Sequence, residues 1–174
     1  MKCVVHKNKL MKKIAFILFL LFALVSEAQE KRLWAKSFQD KEAPTFVVEE
    51  WISDEPQMKG KFILIDFWAT WCGPCKRAIP ELNSFQKEFE KDLIVIGISD
   101  ETKEKVLTQI NPKIEYYSAI DTSKRLNNSY VVKGIPHCVL IDPDGIVRWE
   151  GWPQQKGYEL TSEVIKEIIA KYKK

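Results

Sequence analysis

The middle of the chain contains two apolar runs that are continuous rather than alternating, KFILIDF at residues 61–67 and LIVIGIS at residues 93–99. A strand has such a run when both faces of its sheet are covered. Between the runs, residues 76–89 carry apolar side chains at intervals of three and four, which is typical of an amphipathic helix. A strand, a helix and a second strand in this order predict a largely buried sheet covered by helices.

The rest of the chain continues this alternation. A helix at residues 101–110 is expected to end at Asn111-Pro112, and a helix at residues 122–130 is expected to begin with an Asp or Thr cap. The turn at residues 142–145, DPDG, is expected to join a terminal hairpin. These elements predict an α/β domain with a central mixed sheet. The further expected elements are strands at residues 46–48, 116–120, 138–141 and 146–149 and a helix at residues 159–172.

A short apolar segment lies near the N-terminus. Residues 14–25 contain no charge and no turn former, follow Lys12 and Lys13, and precede Ser26-Glu27-Ala28. A basic flank, an apolar run and a small-residue site predict a secretory signal peptide at residues 1–28, cleaved before Gln29. As a helix the run would span about 18 Å, against roughly 30 Å of hydrocarbon core, so a lasting membrane anchor is not expected. We expect a folded domain at residues 29–174 and a periplasmic or otherwise extracytoplasmic location.

The net charge of +3 is concentrated in the same N-terminal segment. Residues 1–28 hold five lysines against one glutamate, so the remainder of the chain carries a net charge of −1. A domain without excess positive charge is not expected to bind nucleic acid. The 45% hydrophobic content is enough to fill a core without a scaffold of disulfides.

The chain contains four cysteines, Cys3, Cys72, Cys75 and Cys138, and Cys3 lies in the predicted signal peptide. The pair at 72 and 75 has three interpretations: half of a metal site, an inert disulfide, or a redox couple. Zinc needs four ligands, and the adjacent His137 and Cys138 would point to opposite faces of a strand, so no metal is expected. A disulfide across two residues closes a very small loop and adds little stability.

A redox couple fits the position of the pair best, because the cysteines lie where a buried strand leads into a helix. Cys72 is expected in the first turn, where unpaired backbone N–H groups and the helix dipole stabilise a thiolate. Pro74 suits this turn because its missing N–H has no helical partner there. Cys75 is expected one turn deeper. We therefore expect Cys72 to be the exposed attacking thiol and Cys75 the shielded resolving thiol.

These residues carry a family resemblance. DFWATWCGPCK at residues 66–76, followed by GIPHCVLIDPDG at residues 134–145, resembles the thioredoxin superfamily. The predicted signal peptide and the extra helix–strand unit near residues 101–120 resemble its exported TlpA/ResA-like branch. The resemblance implies a thioredoxin-like three-layer fold and a cis bond at Ile135-Pro136 facing the active-site loop. It also implies that the backbone of Ile135 pairs with a substrate peptide.

Asp66 is a single carboxyl inside an otherwise apolar strand. Burial without a partner is costly for a carboxylate, so its pKa should be raised, and this suits it to exchange a proton with Cys75. The resemblance likewise matches Asp66 to the buried acid of the family. It departs from cytoplasmic thioredoxins at the position next to this acid, where Gly97 stands in place of a lysine. The alternative for Asp66 is a structural carboxyl bonded to backbone.

Expectations also follow for three other residues, Trp71, Cys138 and His137. Trp71 is expected either to contact substrate beside Cys72 or to pack against the core. Cys138 is expected to be a buried small hydrophobe rather than a third redox group. His137 is expected to be a satisfied or exposed histidine rather than a modulator of the pair.

Together these observations predict an exported thiol–disulfide oxidoreductase that needs no metal or organic cofactor. Its expected partners are proteins that contain disulfides and a membrane electron donor that recharges the dithiol. Gly73-Pro74 is the pair found between the cysteines of thioredoxin, which favours a reductant, with cytochrome c maturation as one role that the family implies. The alternatives are a disulfide isomerase or oxidant, a peroxiredoxin-like peroxidase, and a non-catalytic thioredoxin-fold binding module.

Overall fold

A computed structural model describes residues 33–173 of the chain. The predicted signal peptide at residues 1–28 lies outside these residues. Ten elements follow one another along the described part of the chain. They are β1 (Glu50–Trp51), β2 (Phe62–Trp68), α1 (Gly73–Glu88), β3 (Leu93–Ser99), α2 (Lys103–Val106), β4 (Tyr117–Ile120), α3 (Arg125–Tyr130), β5 (His137–Ile141), β6 (Val147–Gly151) and α4 (Ser162–Tyr172).

The six strands form one mixed sheet in the order β1-β4-β3-β2-β5-β6. Strand β2 pairs in parallel with β3, and β3 pairs in parallel with β4. The remaining pairs, β1 with β4, β2 with β5 and β5 with β6, are antiparallel. The mixed sheet predicted from the sequence is therefore confirmed, and the β2–α1 junction that carries the cysteine pair lies on a central strand.

Helices and irregular chain cover both faces of the sheet. On one face, Ile79 of α1 and Ile165 of α4 pack with Leu64 and Val95 of the central strands. On the other face, side chains that alternate with these pack against α3 and the segment before β1. Because both faces are covered, β3 is buried along its whole length, as its continuous apolar sequence predicts. The result is the three-layer architecture expected from the resemblance.

Two predicted elements were wrong. No strand forms at residues 46–48; Phe46 and Val48 pack their side chains against the core, and the first strand is β1 at Glu50–Trp51. The backbone there begins to pair with β4 only at Glu49, whose N–H bonds to the carbonyl of Ile120 at 2.8 Å. Apolar spacing predicts burial, but a ladder also needs a neighbouring strand within reach.

The helix predicted at residues 101–110 is reduced to the single turn α2, with Thr102 as its cap. Leu107 and Ile110 are 56% and 79% exposed, so the C-terminal half of the predicted helix has no core to pack against. A short helix without a buried face is marginal in water. The helix after residue 121 also begins later than predicted, at Arg125, and the carboxylate of Asp121 accepts the N–H of Leu126 at 2.8 Å.

Candidate active site at the start of helix α1

Cys72 and Cys75 are joined by a disulfide at the N-terminus of α1. Cys72 is the N-cap residue, and its sulfur accepts the backbone N–H of Cys75 at 3.2 Å. Helix α1 begins at Gly73, three residues before the predicted start, because the sulfur of Cys72 supplies the cap and Pro74 fits the first turn. The predicted position of Cys72 at a helix start is thus confirmed.

The predicted exposure of Cys72 is not found in this disulfide form. Cys72 is 3% exposed and Cys75 is fully buried. Both sulfurs belong to a buried cluster with Trp68 and Ala69, which explains why the sulfur of Cys72 is covered while it is bonded to Cys75. The order of accessibility agrees with the predicted roles, but the difference between the two cysteines is small.

The charges around the pair favour a thiolate. The first turn of α1 contains no acidic residue, and Lys76 follows Cys75 directly. Negative charge at a helix N-terminus is stabilised by the dipole and by unpaired N–H groups. The Cys72 sulfur already occupies the position of such an N-terminal acceptor.

A carboxylate holds the loop that leads into the pair. Glu101 accepts two hydrogen bonds from Thr70, from the backbone N–H at 2.6 Å and from the hydroxyl at 2.7 Å. Trp71, the next residue, is 70% exposed and projects beside Cys72, so it does not pack in the core. Sequence reasoning missed Glu101, because nothing in its local pattern points to a partner 31 residues earlier.

The bond between Ile135 and Pro136 is cis, as the resemblance implied. Ile135 packs against the buried cluster that contains both cysteines. A cavity of about 170 Å³ opens between this loop and the start of α1. It is lined by Trp34, Pro74, Ile135, Pro136, His137 and Trp152.

The cavity has an aromatic wall that was not predicted. The ring of Trp34 lies directly against Gly134, where a Cβ would stand 2.0 Å from Trp34 Cε3, so only glycine fits there. Trp152 Nε1 is buried and has no hydrogen-bond partner within residues 33–173. Trp34 comes from a segment that lacks helical or strand periodicity, so no pattern in the sequence pointed to it, whereas Trp152 directly follows β6.

Asp66 lies in the centre of β2 and is fully buried. Its Oδ2 accepts a hydrogen bond from the Tyr116 hydroxyl at 3.2 Å, and its Oδ1 accepts one from the Cys138 thiol at 3.4 Å. Burial raises the pKa of Asp66 to about 7, although the two hydrogen bonds lower it. The raised pKa agrees with the sequence prediction. Gly97 of β3 is in register with Asp66, at the position inferred from the sequence.

The neighbours of Asp66 on β5 point in opposite directions. Cys138 is a free, buried thiol on the face that α1 covers, and burial raises its pKa well above the usual range. His137 is buried on the other face and stacks on Phe67 at 6.0 Å between ring centres. The arrangement thus joins Cys138 to Asp66 and separates His137 from it.

Within residues 33–173, no cluster of three or more His, Cys, Asp or Glu side chains has the arrangement needed to hold a metal ion. In the same range, none of the helices combines the length and the apolar character that crossing a bilayer requires.

The fold and the site define a class of protein. A thioredoxin-like mixed sheet that carries a CxxC disulfide at a helix N-terminus, opposite a cis-proline loop, is the framework of a thiol–disulfide oxidoreductase. Such a protein acts on partners that contain disulfides.

Comparison with known proteins gives the family: the chain belongs to the AhpC/TSA family, whose pattern matches residues 35–150. It is similar to thiol-disulfide oxidoreductase ResA of Bacillus thuringiensis (strain Al Hakam), 32% identical over 154 residues that cover 81% of this chain and 86% of that protein. It is also similar to the thioredoxin-like protein YneN of Bacillus subtilis (strain 168), 27% identical, with 63% and 69% covered. A structure from Chlorobium tepidum, described as a thiol:disulfide interchange protein DsbE, superposes with a TM-score of 0.64 at 25% identity, covering 76% of this chain and 96% of that one.

Proposed function

We propose that this protein reduces disulfides in other proteins outside the cytoplasm, with Cys72 as nucleophile and Cys75 as resolving thiol. The observation that carries the proposal is the Cys72–Cys75 disulfide at the N-terminus of α1, beside the cis Ile135-Pro136 bond. In the reduced protein, the helix start favours the thiolate of Cys72 over that of Cys75, because Cys72 lies at the cap and Cys75 is fully buried.

The reaction transfers two electrons in two exchange steps. The Cys72 thiolate attacks one sulfur of a substrate disulfide, forms a mixed disulfide and releases the first substrate thiolate, which takes a proton from solvent. Cys75 loses its proton and attacks the Cys72 sulfur, which breaks the mixed disulfide and releases the second substrate thiolate. The substrate is then a dithiol, and the protein is in the disulfide form.

Asp66 is proposed to accept the proton of Cys75 in the second step. It lies on the face of the sheet that α1 covers, and a pKa of about 7 allows it to gain and lose a proton near neutral pH. In the described residues, its hydrogen-bond donors are a hydroxyl and a thiol rather than backbone N–H groups. This argues against the alternative in which Asp66 is a structural acceptor for backbone.

Trp71, Ile135 and Pro136 are proposed to bind the substrate. Trp71 offers a largely exposed aromatic surface beside the nucleophile, and Ile135 and Pro136 line the adjacent cavity. A peptide strand laid along Ile135 would bring a substrate cysteine next to Cys72 and place a neighbouring apolar side chain near the cavity.

The direction of the reaction follows from the residues between the cysteines. Gly73-Pro74 is the pair found in thioredoxin, whose potential is about −270 mV, whereas that of the oxidant DsbA is about −120 mV. A reductant outside the cytoplasm needs a membrane electron donor to return its disulfide to the dithiol. Maturation of c-type cytochromes is one role that such a reductant serves in the branch that this sequence resembles.

Trapping tests the proposed roles. Cys75→Ser protein, expressed with its native N-terminus, should accumulate mixed disulfides through Cys72, and these partners can be identified by mass spectrometry. The matched control is Cys72→Ser, which keeps one thiol in the same loop and should trap nothing. Trapping by Cys72→Ser at the level of Cys75→Ser would contradict the assigned order of attack.

Two further measurements test the direction and the location. A reduction potential above about −180 mV, the level of protein disulfide isomerase, would assign the protein to the isomerases or oxidants instead. N-terminal sequencing of the protein recovered from the extracytoplasmic fraction should begin at Gln29. A chain that retains residues 1–28 inside the cell would contradict the proposed export.

A further inference from the structure

We infer that Tyr116 and Cys138 are positioning residues that together set the pH at which the buried Asp66 carboxyl exchanges its proton. The inference rests on the proposed function for its effect on the reaction. It gives a role to a tyrosine in the segment before β4 and to a cysteine that is free and therefore outside the Cys72–Cys75 disulfide.

The geometry engages both oxygens of the carboxyl from different elements. Tyr116 reaches Oδ2 from the segment directly before β4, and Cys138 reaches Oδ1 from β5, where it is the antiparallel partner of Asp66. Asp66 and Cys138 are completely buried, and Tyr116 is 5% exposed. With one donor on each oxygen in a site without solvent access, the two side chains control how well the ionised carboxyl is stabilised.

Gly97 makes room for this arrangement. A Cβ at residue 97 would stand 2.9 Å from Tyr116 Cε2, which is closer than real Cβ contacts, and 3.0 Å from Trp68 Nε1, which is tighter than most of them. The position on β3 next to Asp66 is therefore filled by the tyrosine ring from outside the strand. A side chain at residue 97 would displace the ring and remove its hydroxyl from the carboxyl.

The two donors keep their own protons while Asp66 titrates. Burial raises the pKa values of Tyr116 and Cys138 well above their usual range, and the charge of Asp66 raises both further. The charge of Glu81, on α1, also raises the pKa of Cys138. The sulfurs of α1 and its cap do not titrate because they form the disulfide. On β3, the residue next to the acid is Gly97, which has no side chain to titrate. The cluster therefore changes by one proton near neutral pH, and that proton is carried by Asp66.

The test compares variants that remove one donor at a time from the full chain. Tyr116→Phe keeps the ring but deletes the hydroxyl, and Cys138→Ala deletes the thiol. The matched controls are Tyr117→Phe, which deletes a hydroxyl one residue further along, and Cys138→Ser, which keeps a donor at the same position. Titration of the Asp66 carboxyl carbon by NMR, on the oxidised protein without substrate, measures the midpoint directly.

We expect the midpoint of the Asp66 titration to rise by about one pH unit in Tyr116→Phe. The substitution removes a hydrogen bond to the ionised carboxyl, and the free energy of such a bond corresponds to a pKa shift of about one unit. Cys138→Ala should raise it by less, because a thiol is a weak donor. Tyr117→Phe and Cys138→Ser should not raise it. If Tyr116→Phe and Cys138→Ala both titrate within about 0.3 pH unit of the unmodified protein, the inference is overturned.

A kinetic measurement links the cluster to the reaction. The rate at which Cys75 resolves a preformed mixed disulfide should rise with pH through the Asp66 midpoint, and Tyr116→Phe should shift this profile upward by the same amount. A shifted carboxyl midpoint with an unshifted rate profile would overturn the role of the cluster in catalysis and leave the dithiol function intact. Failure of the unmodified protein to reduce any protein disulfide would instead refute the proposed function, whatever the NMR titration shows.

Discussion

We expect Asp66→Asn to raise the free energy of unfolding, by an amount that grows with pH. The substitution keeps the size of the side chain and removes the charge that burial penalises. Burial raises the pKa of Asp66 from 3.8 to about 7 in the folded protein. The folded state therefore binds the proton more tightly than the unfolded state, and the native protein loses stability as the pH rises from about 4 to about 7.

The size of this loss of stability follows from the difference between the pKa of Asp66 in the folded state and its pKa in the unfolded state. Three pKa units correspond to about 4 kcal/mol at pH 8, where the carboxyl is ionised in both states. At pH 5 the unfolded carboxyl is ionised and the folded one is still protonated, so the loss is only about 1.5 kcal/mol. Asparagine is neutral at both values, so the gain from the substitution should follow the same curve.

Denaturant unfolding of the oxidised protein at pH 5 and pH 8 measures this effect. The matched control is Asp54→Asn, which removes an exposed carboxylate of the same type and should show no comparable dependence on pH. A gain of equal size at both pH values would refute the reasoning, because a buried titrating charge has to act through pH. A loss of stability at pH 8 would show that Asp66 holds the fold together as a structural acceptor.

Three other predictions concern the loop and the pair. In the reduced protein, the pKa of Cys72 measured by alkylation should lie below the reference of about 8.5, because the helix N-terminus stabilises its thiolate, and faster reaction of Cys75 would reverse the two roles. Glu101→Ala should cost about 1–3 kcal/mol of stability and lower kcat/KM, because Thr70 loses two hydrogen bonds to a carboxylate. If unfolding and kinetic assays both match the unmodified protein, the loop keeps its conformation without Glu101. Trp71→Ala should change stability by less than about 0.5 kcal/mol, because the side chain is largely exposed, yet it should slow reduction of protein disulfides by about tenfold. An equal loss toward a small-molecule disulfide would argue against a substrate contact.

Local patterns in the sequence were sufficient for the central elements. The continuous apolar runs predicted β2 and β3, and the spacing of apolar residues predicted α1. The cysteine pair was placed at a helix start because glycine and proline follow Cys72 and suit a first turn. The burial of Asp66 was predictable for a similar reason: its strand neighbours are apolar on both sides, so the carboxyl had to be enclosed with them. Each of these features depends on residues within one turn or one strand.

The contacts that shape the site depend on the tertiary structure. The partners of Asp66 lie 50 and 72 residues away in the chain, and only the order and register of the strands bring Tyr116 and Cys138 to its two oxygens. Trp34 reaches Gly134 across 100 residues to form the cavity wall. Periodicity shows which side of an element is buried, but not which distant side chain covers it, because that choice is made when the elements pack. The position of the cysteine pair at a helix start could thus be predicted from the sequence alone, whereas the side chains that bond to Thr70 and to Asp66 were set by packing between distant segments.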